Sequence, residues 1–560
     1  MATFLDERRL MNGPWRAFER DIGRMLIANG FDDVRIVGGS GDRGADVLGV
    51  KRGELWVIQA KHTTNAPPPR SAVEEVVEAG AFYRADRMVV ACSRHPGQGI
   101  LEERDRFAKL GIKVEIMGPS KLQRAVEDAP TYPRCRRSLR PYQVDAVEAF
   151  KEALVSSGKA QVVLATGLGK TVVMAETVAE LYRESRIEGG RALVLAHTRD
   201  IVDQLHQSFW SQLPKTIPTH RLEGGEVPSF WDGITFATIQ SVLGRVDDLP
   251  RFGLVLVDEA HHVGSDTFLQ AIAALSPPML GGATATPWRG DGFDIDRLLG
   301  PAVVQIGIEE GLRRGFLSEV DYRLLADNVD WEIVKDLSRH KYSLAELNRR
   351  LIIPTRDEEA ARILRESFDK EGRRAGIVFS PTTVHAQHMA AMLRSFDLRS
   401  EAIVGELAPR ERDRLMSAFR RGDLDVVTSV DLFNEGVDVP DVDVIAFMRV
   451  THSRRIFVQQ LGRGLRVSPR KDKVMVLDFV SDLRRIAEVI RLDGATRTGE
   501  SPIERLGLGE SIVSFHDASA GSFVMEWLRD QADLLLREGD PSLELPRFDF
   551  PEPVAPGGVQ

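Results

Sequence analysis

Three clusters of residues in this chain have types and spacings suited to phosphate-ester chemistry. The first is Leu164-Ala-Thr-Gly-Leu-Gly-Lys-Thr171, which follows an apolar run and precedes a helix-forming one. Gly167 and Gly169, with Thr166 beside them, let backbone N–H groups turn inward around a phosphate. Lys170 would then reach the terminal phosphates of a nucleotide, and the Thr171 hydroxyl would ligate magnesium. The strict form of this loop has glycine where the chain has Leu164.

The second cluster, Leu254-Val-Leu-Val-Asp-Glu-Ala-His-His262, runs four apolar residues into two adjacent carboxylates. A buried strand would deliver Asp258 to a metal at its C-terminal end. Glu259 would orient and deprotonate an attacking water, as hydrolysis of a nucleotide requires. The third cluster lies near the N-terminus. A glycine-rich approach, Gly38-Gly-Ser-Gly-Asp-Arg-Gly-Ala-Asp46, precedes the strand-like Glu54-Leu-Trp-Val-Ile-Gln-Ala-Lys61. Gln59 and Lys61 are two apart, so on a strand they share a face. Asp46 would hold a divalent metal with the Gln59 side-chain oxygen, and Lys61 would orient water or offset charge during phosphodiester cleavage. Glu19 would add a ligand if its helix packs beside the strands; otherwise it is a solvated or capping residue. His62 and His95 are nearby and are assigned no role.

Elements that could position these groups are legible in the hydrophobic pattern. Trp15 to Asn29 reads as an amphipathic helix with Trp15, Phe18, Ile22 and Leu26 on its apolar side. The first domain continues as strand, strand, helix, strand. Beyond it, QVVLAT, ALVLAHT, ITFATI, LVLVDEA, GIVFS, LDVVTSV, VIAFM and VMVLDF alternate with helical stretches, the pattern of parallel sheets flanked by helices. The expected domains are 1–127, a linker at 128–137, a first lobe at 138–310, an inter-lobe segment at 311–354, a second lobe at 355–490 and a C-terminal extension at 491–560. The fold class is therefore α/β.

Composition agrees. A chain of 560 residues exceeds what one core normally supports. No eighteen-residue apolar stretch and no signal-peptide core occur, so no membrane association is expected. Cys92 and Cys135 form no C-x-x-C pair, which excludes a zinc ribbon and suits the cytoplasm. The net charge of -9 gives no overall nucleic-acid footprint, although a local groove would suffice for binding. The basic run Arg134, Arg136, Arg137 and Arg140 reads as solvated surface.

Over about 138–480 the chain resembles a superfamily 2 helicase of the DEAH-box type. Leu139-Arg-Pro-Tyr-Gln143 resembles the upstream element whose glutamine, here Gln143, reads adenine. Ala196-His-Thr-Arg-Asp-Ile-Val-Asp-Gln204 and Ala237-Thr-Ile-Gln-Ser241 resemble the segments that touch the nucleic-acid backbone, and Thr284-Ala-Thr286 the element coupling hydrolysis to movement. In the second lobe, Val378-Phe-Ser-Pro381, the segment Thr428 to Asp438 (with Gly436) and Gln459-Gln-Leu-Gly-Arg-Gly-Leu-Arg466 match the remaining motifs. Arg463 and Arg466 lie on one helical face. An arginine beside the γ-phosphoryl group accelerates its transfer by about 10³–10⁵. Residues 14–125 resemble a PD-(D/E)xK nuclease of the Mrr restriction-endonuclease type, in which Gln59 replaces the usual acid.

The resemblances imply a restriction-endonuclease-like α/β domain, two RecA-like parallel-sheet lobes and a small C-terminal extension. They imply ATP and Mg2+ as cofactors, with Mn2+ an alternative in the nuclease site. The implied partner is DNA, gripped through its backbone without sequence preference. A homodimer or partner proteins of a defence system would complete the assembly, and restriction, anti-phage defence or DNA repair is the implied role. The order of domains is similar to that of type I restriction motor subunits. Three other readings stay open: a non-cleaving DNA-binding N-terminal domain, an RNA helicase, and a nucleotide-gated switch that does not translocate.

Overall fold

The computed structural model describes residues 3–37, 44–223, 225–260, 265–285, 295–324, 357–430, 442–448, 473–479 and 506–508. Three sheets organise them, two in one compact unit and the third in another.

The N-terminal sheet is mixed, in the order β1-β2-β3-β4-β5. Its elements are α1 (Glu7–Asn12), α2 (Trp15–Ala28), β1 (Asp32–Ile36), β2 (Val47–Lys51), β3 (Glu54–Lys61), α3 (Ser71–Tyr83), β4 (Arg87–Cys92), α4 (Gln98–Lys109), β5 (Val114–Met117) and α5 (Pro119–Glu127). β1, β2 and β3 pair antiparallel, whereas β3, β4 and β5 run parallel. Strand alternation splits the core. Ile58, Ala60, Val47 and Val89 pack with Phe18, Ile22, Leu26 and Leu122 of α2 and α5. Val57, Leu48 and Val90 pack with Ala72, Val73 and Val76 of α3 on the other face.

The sequence expectation changes here. β2 and β5 are additional strands; β2 is short and carries Gly49, where a Cβ would sit 3.2 Å from the Phe31 ring and 3.3 Å from Leu26. Trp15, expected on the apolar side of its helix, is 50% exposed because it occupies the first helical position after Pro14.

The second sheet is wholly parallel, in the order β12-β6-β11-β10-β7-β9-β8. Its elements are α6 (Pro141–Ser157), β6 (Lys159–Leu164), α7 (Lys170–Arg183), β7 (Arg191–Ala196), α8 (Arg199–Trp210), β8 (Thr219–Leu222), β9 (Gly233–Thr238), α9 (Ile239–Leu243), β10 (Leu254–Asp258), α10 (Asp266–Leu275), β11 (Met279–Thr284), α11 (Asp296–Leu299) and β12 (Ala302–Ile306). Helices cover both faces: Leu254 and Leu256 face one cluster, Val255 and Val257 the other. Fully burying such side chains stabilises by about 1.5–3 kcal/mol each. This explains why β10 reads as an unbroken apolar run.

The N-terminal domain and this lobe share a buried, charged interface. Arg20, 8% exposed, pairs with Glu226, 5% exposed, and its Nη1 lies 3.2 Å from Oε2. Arg24 donates to the carbonyls of Ile217 (2.8 Å) and Pro214 (3.0 Å) and lies 4.2 Å over the Phe4 ring. Lys215 Nζ donates to the carbonyls of Glu127 (2.6 Å), Ala129 (2.6 Å) and Val126 (3.1 Å), satisfying acceptors at the end of α5. The expected linker is thus bonded to the lobe; Lys215 N also donates to Thr131 O at 2.8 Å. Arg136, expected to be solvated, instead makes a two-pronged bond to buried Glu176 and lies 4.0 Å from the Tyr132 ring centre. Arg20→Ala leaves Glu226 buried without its partner and is expected to cost about 3–5 kcal/mol, read by denaturant unfolding. An unchanged midpoint would show that the pair holds nothing together.

The third sheet is also parallel where paired, in the order β15-β16-β14-β17-β18-β13-β19. It contains α12 (Ile308–Arg313), β13 (Glu319–Leu324), α13 (Asp357–Glu371), β14 (Gly376–Phe379), α14 (Thr383–Ser395), β15 (Ser400–Ala402), α15 (Pro409–Arg421), β16 (Val426–Ser429), β17 (Val444–Phe447), β18 (Lys473–Asp478) and β19 (Leu506–Leu508). β13 comes from the expected inter-lobe segment and β19 from the expected C-terminal extension. β18 has a free edge that β13 completes through a six-residue register, Glu319↔Lys473 to Leu324↔Asp478. Second-lobe structure therefore reaches beyond 355–490 at both ends.

Candidate functional sites

At the C-terminal edge of the second sheet, the loop after β6, the ends of β10 and β11, and the starts of α8 and α9 all emerge together. This is where open parallel sheets place their ligands. Gly167 and Gly169 have φ of +93° and +84°, a conformation that favours glycine. At Gly169 a Cβ would lie 2.5 Å from Gln143 Nε2, so the glycine lets Gln143 reach the loop. Gln143 is buried and oriented by its own helix start, where its Oε1 accepts from Arg140 N at 3.0 Å.

Lys170 Nζ lies 2.8 Å from Glu259 Oε1, and both side chains are mostly buried. Thr166 is half-buried in the loop, and Thr171 is half-buried in the first turn of α7, where N–H groups have no partner inside the helix. Burial, and then the neighbouring Glu259 charge, push the Asp258 carboxyl up to about 7 against the pull of Lys170. Its Oδ1 is buried with no hydrogen-bond partner, as expected of an oxygen that accepts a cation. Asp258 and Thr171 thus fit a magnesium ion, which when bound would neutralise phosphate charge. Glu259 has φ of +49°, a conformation costly for a residue with a side chain and often found at reacting groups.

Thr198 and Thr238 cap α8 and α9, accepting from Ile201 N (3.4 Å) and Ser241 N (3.2 Å). Both caps lie within the two segments expected to touch nucleic acid, where strand gives way to helix. Thr284 is fully buried at the end of β11. Gly436, Asp438, Gln459, Arg463, Arg466 and Thr286 lie outside the described residues.

In the N-terminal sheet, Asp46 lies just before β2, with its N–H donating to Ile58 O at 3.0 Å. Its Oδ2 accepts from Gln59 Nε2 and Ala60 N, both at 2.6 Å. Asp46 and Gln59 are 2% and 3% exposed, so the cluster is dry. Gln59 Oε1 is buried without a hydrogen-bond partner and is free to face a cation. Asp46 and Gln59 therefore fit a divalent metal, which when bound would polarise a phosphodiester and activate water. Lys61 shares the face of Val57 and Gln59, and its Nζ lies 2.6 Å from Glu75 Oε2 on α3.

Glu19 is buried on α2, whose Phe18 and Ile22 pack with Ile58 and Ala60, so it is not the solvated residue of the alternative reading. Glu75 was not found from the sequence. Its only signal is a pair of acids, Glu74-Glu75, early in an apolar helix, and the crossing of α3 over β3 gives it meaning. Gly38 to Arg43 lie outside the described residues, but Gly44 has φ of +83° and a Cβ there would lie 2.3 Å from the Glu75 backbone. Gly44→Ala is expected to cost about 2 kcal/mol or more from backbone strain and contact together. A melting temperature equal to wild type would contradict that packing. His62 bonds Leu10 O at 3.0 Å, a structural role consistent with assigning it no chemistry.

Three family models match the chain. Residues 10–126 match "Restriction endonuclease" of the Mrr catalytic type, 136–289 match "Type III restriction enzyme, res subunit", and 359–468 match "Helicase conserved C-terminal domain". The matched regions are similar to the two halves of a superfamily 2 helicase motor and to an Mrr-type restriction-endonuclease domain. Among curated relatives, an ATP-dependent helicase of Saccharomyces cerevisiae is 25% identical over 68% of this chain and 55% of its own length. The chain thus spans about half of that relative. The DNA 3'-5' translocase of Sulfurisphaera tokodaii is 26% identical over 70% of this chain and 94% of its own. Among solved structures, an ATP-dependent Type ISP restriction-modification enzyme bound to DNA superposes with a TM-score of 0.53 at 16% identity. That match covers 95% of this chain and 43% of the other, and it bears on fold alone. Among the described residues, no helix is long and apolar enough to cross a membrane.

Proposed function

We propose that the chain is an ATP-driven DNA translocase or helicase whose N-terminal domain cuts DNA with Mg2+ or Mn2+. The observation that carries this reading is the Lys170–Glu259 pair beside buried Asp258, at the sheet edge where Gln143 meets the phosphate loop. Lys170 has the reach for terminal phosphates, and Glu259 for the water that attacks them. Arg463 and Arg466 are proposed to complete the ATP site, with Gly436, Asp438 and Gln459 lining it. DNA is favoured over RNA because Asp46, Gln59 and Lys61 offer metal-assisted phosphodiester cleavage in the same chain. The name of the archaeal relative, a DNA translocase, supports the same choice.

Restriction of foreign DNA, or processing of damaged DNA, in the cytoplasm is the proposed setting. Two copies acting together would cut both strands. Cleavage of linear and circular DNA is the test, run with wild type, Lys170→Ala and Lys61→Ala in magnesium or manganese. Loss of cutting in the Lys61 variant supports the nuclease reading; cutting that persists there removes it. DNA affinity should fall steeply with salt, because phosphates are the main contact.

A further inference from the structure

The nuclease face contains one charged contact that the reading above does not use. Lys61 is the longest and most adaptable side chain of the site, and an unheld lysine samples many rotamers. Here its ammonium sits 2.6 Å from Glu75 Oε2, on the helix that covers this face of the sheet. The two side chains are 23% and 35% exposed. Pairs this accessible to water add little to stability, so the bond's consequence is mainly where it puts the ammonium. A second observation ties the same helix turn to the metal-binding half of the site. Gly44, two residues before Asp46, presses against the Glu75 backbone so closely that a Cβ there would lie 2.3 Å away. One turn of α3 therefore sets the approach of Asp46 and the position of Lys61.

We propose that Glu75 is the positioning residue of the nuclease site, fixing the Lys61 ammonium on the face where Asp46 and Gln59 converge. This rests on the nuclease reading and adds a residue to it. Glu75 itself touches neither substrate nor metal; it acts through Lys61. Misplacing a group that orients water or offsets charge lowers turnover, while binding of the DNA backbone elsewhere is untouched.

The test uses the full chain, with Glu75→Ala and Glu75→Asp beside wild type. In the first arm, without metal or DNA, N-hydroxysuccinimidyl acetate acylates accessible amines and peptide mass spectrometry reads the rate at Lys61. Lys151, paired with Glu180 and Glu184, is the internal reference. Lys61 should react several-fold faster in Glu75→Ala and near the wild-type rate in Glu75→Asp. An unchanged Lys61 rate overturns the proposal. In the second arm, magnesium-dependent cleavage by Glu75→Ala should lose about ten- to a hundredfold in kcat with KM for DNA unchanged. An unaltered kcat, or a change in KM alone, also overturns it. Should wild type cut no DNA, the nuclease reading fails in the second arm, while the first still decides whether Glu75 holds Lys61.

Discussion

Replacing Glu259 by glutamine is expected to leave ATP binding intact and to slow hydrolysis by about 10²–10⁴, the usual worth of a positioned general base. Glutamine keeps the length and shape of the side chain, so the strained φ of +49° is no worse than in wild type. It cannot accept the proton of the attacking water. Lys170, which now spends its charge on Glu259 at 2.8 Å, must turn to the phosphates when a nucleotide enters. Weakening that resting contact does not oppose binding. Titration with a fluorescent nucleotide, alongside phosphate release, separates the two effects. Hydrolysis at the wild-type rate would remove Glu259 from the reaction and leave Asp258 as the only carboxylate to consider.

The second large effect concerns Lys61. Lys61→Ala removes the cation that β3 places on the face of Gln59, two residues along the strand. Cleavage of DNA should fall by about 10²–10⁴, as when a proton-handling or charge-stabilising group is lost. DNA-stimulated ATP hydrolysis should be unchanged, because the helicase motifs sit on a different sheet. Stability should barely move, since the Lys61–Glu75 pair is partly exposed. If ATP hydrolysis fell in parallel with cleavage, Lys61 would be acting on the fold and not on the nuclease chemistry.

Much of this was legible in the sequence because the chemistry imposes fixed local patterns. The apolar run Leu254 to Val257 reads as a buried strand that delivers Asp258 at its end, and β10 is buried along its whole length. The two-residue spacing of Gln59 and Lys61 fixed their shared face through strand alternation alone. Gln143 followed from its motif, and the structure adds the reason that Gly169 must lack a Cβ.

What escaped the sequence depends on contacts between distant segments. Glu75 meets Lys61 only because α3 crosses β3. Glu19 reads equally as a solvated residue or a ligand, and only the packing of α2 on the sheet shows that it is buried. Arg136 reads as one cation in a basic run, yet Glu176 and Tyr132 hold it. Nothing in the pattern around Arg20 or Lys215 signals that they join two domains; both would pass for surface charges. β13 and β19 join their sheet from segments whose local patterns do not stand out, because an edge strand draws its stability from the neighbour it pairs with.

The most direct test of the central claim is steady-state ATP hydrolysis by the full chain with no nucleic acid, with double-stranded DNA and with RNA, at equal nucleotide concentration. DNA cleavage is followed in the same tubes. The account predicts that DNA raises the ATPase rate well above RNA, that Lys170→Ala abolishes it, and that cut products appear only with a divalent metal. Stimulation by RNA and not by DNA, with no cut products under any condition, would contradict it.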